Sequence, residues 1–305
     1  MKTRAFIYII VAGILWGTSG IFVHLLSPYG FSSFQMTAVR GLISFIGMAV
    51  YASLSDTRLF KCRIKDFLFF VPIGATLFGT AALYYTSMTM TSVSTAVVLM
   101  YMAPVYVMIF SVIFLGENFS SLKAISVLAM LIGCCLVSGI IGGLAFDLIG
   151  ILLGVLAGVS YATYNVVTKI ALKKGINAVT ATVYSFMIMA IIAISVSKPH
   201  QIVIKAIENP LPTIPLLIGL GVVTFVIPYF LYTLAMRDLP AGTAASLGIV
   251  EPMAATVFSI LFLGEELSWL SAIGIVLILL AVFALGKAEG NTETNEKKVI
   301  KEREL

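Results

Sequence analysis

The sequence predicts an all-α integral membrane protein of ten transmembrane helices, arranged as two inverted five-helix repeats around a central cavity. Three observations predict this class. The 305 residues are 60% hydrophobic and 11% charged, whereas soluble domains average about 45–50% apolar and about 25% charged residues. Ten separate apolar segments are long enough to cross a bilayer, and a 42-residue stretch of the first half recurs in the second half.

Each apolar segment has roughly the 20 residues that a helix needs to cross a hydrocarbon core of ~30 Å. The joints between them hold charges or turn-forming residues, such as SPYG at 27–30 and KKGIN at 173–177. The first segment is too long for the apolar core of a signal peptide and lacks an A-x-A-like cleavage site, so we interpret it as an uncleaved span. The predicted spans are 5–26, 33–54, 67–87, 93–115, 121–141, 147–170, 178–197, 212–235, 242–263 and 268–286.

The distribution of Lys and Arg predicts that both termini are cytoplasmic. With the N-terminus inside, the cytoplasmic segments hold 16 of the 19 Lys and Arg residues, and the outer loops hold two, Lys198 and Lys205. Because positive residues concentrate in cytoplasmic loops, we expect a multi-pass protein of the cell (inner) membrane. The tail from 287 to 305 is polar without an apolar stripe, and we expect it to be disordered in the cytoplasm.

An internal repeat divides the chain into two halves. Two 42-residue stretches, offset by 148 residues, are identical at 16 positions, and each contains a helix-breaking proline, Pro104 or Pro252. Residues 1–141 form the predicted first repeat and residues 147–286 the second. Because each half holds five spans, the second half must enter the membrane from the opposite side. Inverted repeats of this kind are typical of transporters.

Four motifs carry a family resemblance. They are ILWG at 14–17, FQMTAVRGL around Arg40, APVYVMIFSVIFLGE at 103–117 and EPMAATVFSILFLGE at 251–265. Together with ten spans in two halves, they resemble the drug/metabolite transporter superfamily, EamA type, over residues 5–286. The resemblance implies export or uptake of small metabolites, often amino acids, across a membrane in which both termini are cytoplasmic.

Glu251 is the carboxylate that lies deepest in a predicted span, directly before Pro252. Since proline has no N–H, the Gly248 carbonyl loses its helical partner, and such irregular backbone requires protein or water to satisfy it. We therefore expect a polar interior site, in which Glu251 couples protons or binds an amine. A structural Glu251, hydrogen-bonded to a neighbouring helix, stays an open alternative because Ala103 occupies the matching position of the first repeat.

Arg40 and several polar aromatic residues complete the candidate site. Arg40 lies on a helical stripe of small or polar residues, which should face the bundle interior. Its open roles are an ion pair with Glu251, binding of a substrate carboxylate, and capping of helix carbonyls. The remaining candidates combine an apolar body with a polar group or carry an amide. They are Trp16, Tyr84, Tyr101, Tyr161 and Asn165.

Two further kinds of charged residue have predicted structural roles. Lys169 precedes Lys173 and Lys174 near the end of a span, so we expect it to extend to the interface as an orientation anchor. Glu117 and Glu265 each follow a glycine at the end of matching helices, and we expect them to hold helix-end geometry.

The favoured function is secondary transport of a small organic metabolite by alternating access, with export as the favoured direction. The expected solute is a neutral or aromatic amino acid or an amphiphilic drug-like molecule, and proton coupling through Glu251 is open. A sugar, sugar-phosphate or nucleotide-sugar carrier is the alternative, although phosphates would favour more cations than Arg40 alone. The expected partners are the solute, the lipid bilayer and protons, without nucleic acid, in a monomer or homodimer.

Other function classes fit the sequence less well. A membrane-embedded enzyme would need a nucleophile and base or a metal cluster, but the chain has two histidines, neither in an H-E-x-x-H pattern. A GxxxxGK[ST] phosphate-binding loop is also missing, so we do not expect ATP hydrolysis. No catalytic residue, metal or cofactor is expected. A channel would show a continuous polar face on several helices, which the sequence lacks.

Overall fold

The structure, a computed structural model, describes residues 2–91, 93–117, 120–137, 147–264 and 268–303. These segments form helices joined by turns and short loops, and no strand occurs among them. The prediction of an all-helical protein is therefore confirmed.

Eight segments of the described chain are long and apolar enough to cross a membrane. They are Thr3–Tyr29, Ser33–Ser55, Ile64–Met90, Thr95–Leu115, Leu148–Lys173, Ala178–Val196, Pro210–Asp238 and Ala241–Leu263. Two shorter apolar helices, Ser121–Val137 and Trp269–Leu285, occupy the places of the fifth and tenth predicted spans. The count of ten spans stays a prediction, because the fifth predicted span ends at 141, outside the described residues.

Polar side chains begin several of the helices. Ser32 and Gln35 form a reciprocal capping box at the start of the third helix, where Gln35 N donates to Ser32 Oγ at 3.2 Å. Asp147 Oδ1 accepts from Gly150 N at 2.7 Å, and Asn177 Oδ1 accepts from Val179 N at 2.8 Å. The α-helices are α1 Lys2–Gly17, α2 Ser19–Leu26, α3 Ser33–Ser55, α4 Phe67–Met90, α5 Val93–Tyr101, α6 Ala103–Leu115, α7 Ser121–Val137, α8 Leu148–Lys173, α9 Ala178–Val196, α10 Pro199–Glu208, α11 Pro210–Gly221, α12 Ile227–Asp238, α13 Ala241–Leu247, α14 Val250–Leu263 and α15 Trp269–Arg303.

Four spans are interrupted along their length. The breaks lie at Thr18 between α1 and α2, at Met102 between α5 and α6, and at Gly248 and Ile249 between α13 and α14. A π-helical turn, Val222–Val226, joins α11 to α12. Interrupted helices expose backbone groups in the middle of a bundle, where they can serve a polar cavity.

Pro104 and Pro252 lie in the first turns of α6 and α14. A helix tolerates proline there because the first N–H groups have no partner within the helix. The Gly248 carbonyl, which loses the partner that residue 252 would supply, accepts from Glu251 N at 3.0 Å instead. The break is thus closed by a tighter turn.

The helices of the two halves pack against one another in corresponding pairs. In one set of contacts, α8 packs against α4 and α6, and α1 packs against α12 and α14. In a second set, α3 packs against α9, α7 against α15, and α6 against α13. The largest hydrophobic core therefore contains residues from both halves of the chain.

Two ends of the bundle can be distinguished by their loops. The basic face contains residues 56–66, 174–177 and 239–240, and there Thr180 Oγ1 donates to the Leu59 carbonyl at 2.7 Å. The Gly30 face contains residues 27–32 and 197–209. At that end, Gln35 Nε2 donates to Gln201 Oε1 at 3.2 Å.

The shorter apolar helices α7 and α15 approach each other closely through glycines. A Cβ on Gly133 would lie 2.8 Å from the Gly274 carbonyl oxygen, and a Cβ on Gly274 would lie 2.7 Å from the Gly133 carbonyl oxygen. Small residues of this kind allow helices to pack closely in a membrane, where lipid provides no hydrophobic drive for association.

Helix α15 continues to Arg303, so its backbone is helical over residues 287–303, for which the sequence analysis expects disorder. The tail is rich in Glu and Lys, which have high helix propensity. Its first turns extend an apolar helix that is already formed, which avoids the cost of nucleation.

Candidate functional site

A cavity of about 450 Å³ lies between the two halves of the bundle. Residues of α1 to α8, the π-helical turn and α12 to α14 line it, and all four interrupted spans contribute. A volume of this size is typical of a site for a small organic ligand.

Most of the sequence-predicted site residues line this cavity. They are Trp16, Arg40, Tyr84, Tyr101, Tyr161 and Glu251, together with Pro104 and Pro252. The chain contributes them from seven different helices, so the fold brings together residues that lie up to 236 positions apart, from Trp16 to Pro252.

Arg40 extends from α3 toward the cavity and is 7% exposed. Its Nη1 donates to Tyr85 Oη at 3.2 Å, and its guanidinium carbon lies 5.7 Å from the centre of the Phe225 ring. The Nε and Nη2 atoms are buried and have no hydrogen-bond partner. An unpartnered buried donor is costly, so the arrangement is suited to an acceptor that arrives from outside the protein.

Glu251 lies at the break between α13 and α14, on the wall of the same cavity. Its carboxylate interacts with the Tyr101 hydroxyl and with the charge of Arg40. Glu251 and Arg40 do not form an ion pair. Among the described residues, the ion pair that does form is between Arg63 and Asp66, at 3.3 Å. The cavity thus holds one cation and one carboxylate that are not joined by a direct contact.

Aromatic rings form much of the remaining wall. The Trp16 ring centre lies 5.0 Å from that of Tyr229 in an edge-to-face contact, and Phe225 lies 4.6 Å from Tyr229. The rings of Tyr84 and Tyr85 are 5.6 Å apart. Trp16 Nε1 is buried without a partner. Rings with polar edges create an apolar wall that still offers hydrogen bonds.

Several lining residues were not among the sequence-predicted site residues. Tyr85, Thr224, Phe225 and Tyr229 line the cavity beside Arg40 or Trp16. Thr224 and Phe225 lie in the π-helical turn, and π-turns are frequent at functional sites. The sequence signal for this region is Pro228, which precedes Tyr229 and interrupts the helical pattern.

Asn165, which the sequence analysis predicts as a cavity residue, does not line the cavity. It is fully buried on α8, one turn beyond Tyr161 toward the basic face. Its Nδ2 donates to the Tyr161 carbonyl at 2.8 Å, and its Oδ1 accepts from Tyr232 Oη at 2.5 Å. Asn165 therefore supports the cavity wall from behind, because the cavity has already closed at its depth.

The half of the bundle next to the basic face is filled by side chains. On α1, Ala5, Ile9 and Ala12 are at most 1% exposed, whereas Trp16 near the end of α1 and Val23 on α2 line the cavity. On α12, Tyr229 lines the cavity but Met236 is fully buried. The cavity thus extends toward the Gly30 face and is closed toward the basic face.

Two charged residues hold this closed end together, and we call the arrangement the basic-face clamp. Glu117, at the end of α6, accepts from Ala241 N at 3.0 Å and from Gly242 N at 3.5 Å. Lys169 Nζ donates to the carbonyls of Met236 and Leu239, the latter at 2.7 Å. The clamp therefore fixes the turn between α12 and α13.

The prediction that Lys169 extends to the membrane interface is wrong. Lys169 is 7% exposed, and its ammonium group satisfies carbonyls at the C-terminal end of α12. Those carbonyls have no partner within their own helix, and the negative end of the helix dipole favours a cation. Glu117 does hold a helix end, that of α13 in the other half. Glu265 lies outside the described residues.

The family model described as EamA-like transporter family matches the chain twice, over residues 3–139 and 148–286. This chain belongs to the EamA-like transporter family. The resemblance found in the sequence is thereby confirmed, and the protein is a multi-pass membrane protein of a transporter family rather than of an enzyme family.

Three relatives match along nearly the whole chain. An uncharacterized transporter of Archaeoglobus fulgidus is 27% identical over 90% of this chain and 93% of its own length. The uncharacterized transporter YwfM of Bacillus subtilis is 25% identical over 95% and 96%, respectively. An uncharacterized transporter of Clostridium kluyveri is 25% identical over 97% of both chains.

A solved crystal structure shares the fold of this EamA-like chain. It aligns with 93% of this chain and 96% of its own, with a TM-score of 0.75 and 17% sequence identity. At that identity the likeness concerns the fold alone.

Proposed function

We propose that this EamA-like protein is a secondary transporter that moves a small organic metabolite through the central cavity by alternating access. The observation that carries the proposal is the cavity of about 450 Å³ with Glu251 and Arg40 on its wall. Ionisable groups within membrane spans mark solute or ion pathways. Export is the proposed direction. We propose that proton binding and release at Glu251 couple solute transport to the proton gradient.

The proposed architecture is ten spans in two inverted five-helix repeats, residues 1–141 and 147–286. Two matches to one family model support it. The packing supports it as well. Helix α4 of the first half packs against α8 of the second half, and their counterparts in the opposite halves, α12 and α1, also pack against each other. Two inverted halves can exchange conformations, which would move the closed end from the basic face to the Gly30 face.

The proposed solute is a neutral or aromatic amino acid or an amphiphilic drug-like molecule. Seven aromatic residues line the cavity, and Arg40 is the cation among the described lining residues. A phosphate carries about 1.5 to 2 negative charges near neutral pH, so a sugar-phosphate or nucleotide-sugar would be poorly compensated here. An uncharged sugar is the remaining alternative, and competition among the solutes would separate the two classes.

Solute counterflow in proteoliposomes tests the function. Vesicles loaded with unlabelled solute should accumulate the labelled solute from outside, transiently and with saturation. A channel would equilibrate the label without this overshoot. Absence of saturable exchange for every amino acid, amphiphile and sugar in a broad panel would contradict the proposal.

Both termini are expected to be cytoplasmic, with the basic face inward. A tag after Leu305 should be accessible from the cytoplasmic side alone, because most Lys and Arg residues lie at that end of the helices. The matched reporter is Glu208→Cys on the exposed surface of α10, which should react only from outside. The reverse pattern of labelling would overturn the proposed orientation.

A further inference from the structure

The guanidinium group of Arg40 presents one satisfied and one unsatisfied edge. Nη1 donates to Tyr85 Oη at 3.2 Å, whereas Nε and Nη2 have no partner. The N–H bonds of Nε and Nη2 point in parallel from the same edge of the planar group. This edge is the fork that binds both oxygens of a carboxylate.

Among the described residues, no carboxylate neutralises the charge of Arg40 by direct contact. Its described neighbours are a hydroxyl, from Tyr85, and an aromatic face, from Phe225 at 5.7 Å. Glu251 shares the cavity but does not form an ion pair with it. A buried cation without a paired anion is costly, and an anionic ligand removes that cost.

A second buried donor without a partner belongs to another residue of the cavity wall, Trp16. Trp16 lines the cavity, is 6% exposed, and has a buried Nε1 without an acceptor. Trp16 contacts Tyr229, and Tyr229 contacts Phe225, which lies against Arg40. The unsatisfied donors therefore lie along one aromatic wall, and a solute rich in acceptor oxygens would satisfy them.

We infer that the free edge of Arg40 is the subsite for a carboxylate of the transported solute. The inference rests on the proposed transport function and narrows its solute to molecules that carry one carboxylate group. Nε and Nη2 are buried in this state, so the Arg40 side chain must turn toward the cavity that it lines. A single cation matches a single negative charge, which favours a carboxylate over a phosphate.

With the carboxylate bound at Arg40, the rest of the cavity is available to the remaining part of the solute. Tyr84, Tyr101 and Tyr161 line the wall together with Glu251. A carboxylate held at Arg40 leaves an apolar or aromatic portion to contact these rings. A positively charged group on the same solute would be placed to interact with Glu251.

Trp16 provides a direct binding signal. The chain has two tryptophans, and the other, Trp269, is 71% exposed on α15. The Trp269→Phe protein keeps Trp16 as the sole tryptophan, so a ligand in the cavity should change its fluorescence. Binding measured in this way does not depend on transport or on proton coupling.

The probes are two matched pairs: L-phenylalanine with L-phenylalaninamide, and 3-phenylpropionate with 3-phenylpropionamide. Each pair keeps the ring and the chain length and differs in the carboxylate. In the Trp269→Phe protein, the carboxylate of at least one pair should bind at least about tenfold more tightly than its amide, as expected for a charge-assisted fork. Equal binding within both pairs, preference for the amides, or no binding of any of the four overturns the inference.

Substitution of Arg40 locates the preference. In Arg40→Met the ratio of the amide Kd to the carboxylate Kd should fall to about one, and in Arg40→Lys it should be intermediate, since Lys keeps the charge but loses the fork. Arg237→Met removes an exposed cation of α12 and should leave the ratio unchanged. A preference that persists in Arg40→Met overturns the inference.

The test remains decisive if Arg40 variants fail to fold, because the ratios in the Trp269→Phe protein stand alone. It also separates the two proposals. Saturable counterflow of a solute whose binding ignores the carboxylate would leave the transport function intact and remove the Arg40 subsite. Failure of all counterflow would remove the transport function itself.

Discussion

Replacement of Glu251 by Gln is expected to abolish transport driven by a pH gradient while counterflow exchange continues. Gln has the same shape and can still interact with Tyr101, but it cannot release a proton. Glu251 is the carboxylate among the described residues that line the cavity, so the remaining wall offers no substitute. Uptake or efflux in proteoliposomes with an imposed pH gradient should fall by at least about tenfold, in line with the usual effect of removing a proton-transfer group.

The matched control for this variant is Glu208→Gln. Glu208 is exposed at the end of α10, on the Gly30 face, and it does not line the cavity. This control should keep pH-driven transport. If Glu251→Gln transports normally at every pH tested, Glu251 is a structural residue and the proposed coupling is wrong.

Replacement of Glu117 by Gln is expected to open the basic face. The carboxylate of Glu117 accepts from Ala241 N at 3.0 Å, and charge-assisted hydrogen bonds are about twice as strong as neutral ones. A neutral amide should weaken the basic-face clamp by roughly 1 kcal/mol, which corresponds to about a fivefold rise in the open population. The turn between α12 and α13 would then separate from α6 more often.

Cysteine labelling measures this opening. Ala244 is fully buried on α13, so an Ala244→Cys reporter, placed in a protein that lacks the three native cysteines, should react slowly with an impermeant maleimide from the basic face. Glu117→Gln should raise that rate severalfold. Asp147→Asn is the control, because Asp147 caps its own helix α8. An unchanged rate in Glu117→Gln, or an equal rise in Asp147→Asn, would contradict the role of the clamp.

The sequence predicted features that depend on local chemistry or on repetition. Pro104 and Pro252 recur at a constant offset, and both begin helices in the structure, because proline restricts the backbone wherever it occurs. Helical spacing was enough to direct Arg40 inward, since an ionisable group within a span must avoid lipid. Each of these inferences requires only the sequence of a single helix.

Features that depend on contacts between helices far apart in the chain could not be predicted from the sequence. Asn165 follows Tyr161 by one turn of α8. Tyr161 lines the cavity and Asn165 does not, because the cavity ends between these two levels of the helix. Lys169 precedes Lys173 as an interfacial lysine would, but its carbonyl partners lie 67 and 70 positions away. The short helix α10 lies between the predicted spans 178–197 and 212–235, where no helix was predicted, and its apolar residues Val203, Ile204 and Ile207 are exposed.

The single Arg40 and single Glu251 on the cavity wall also determine how the carrier responds to the membrane potential. With Glu251 ionised, the described lining residues carry no net charge, so an empty carrier would reorient without moving charge through the field. Protonation of Glu251 alone leaves one positive charge, whose passage across the full field involves about 2.3 kcal/mol per 100 mV. A bound monocarboxylate cancels that charge. Movement of a proton and a carboxylate together is therefore voltage-insensitive, whereas movement of either one in exchange for the other responds to voltage.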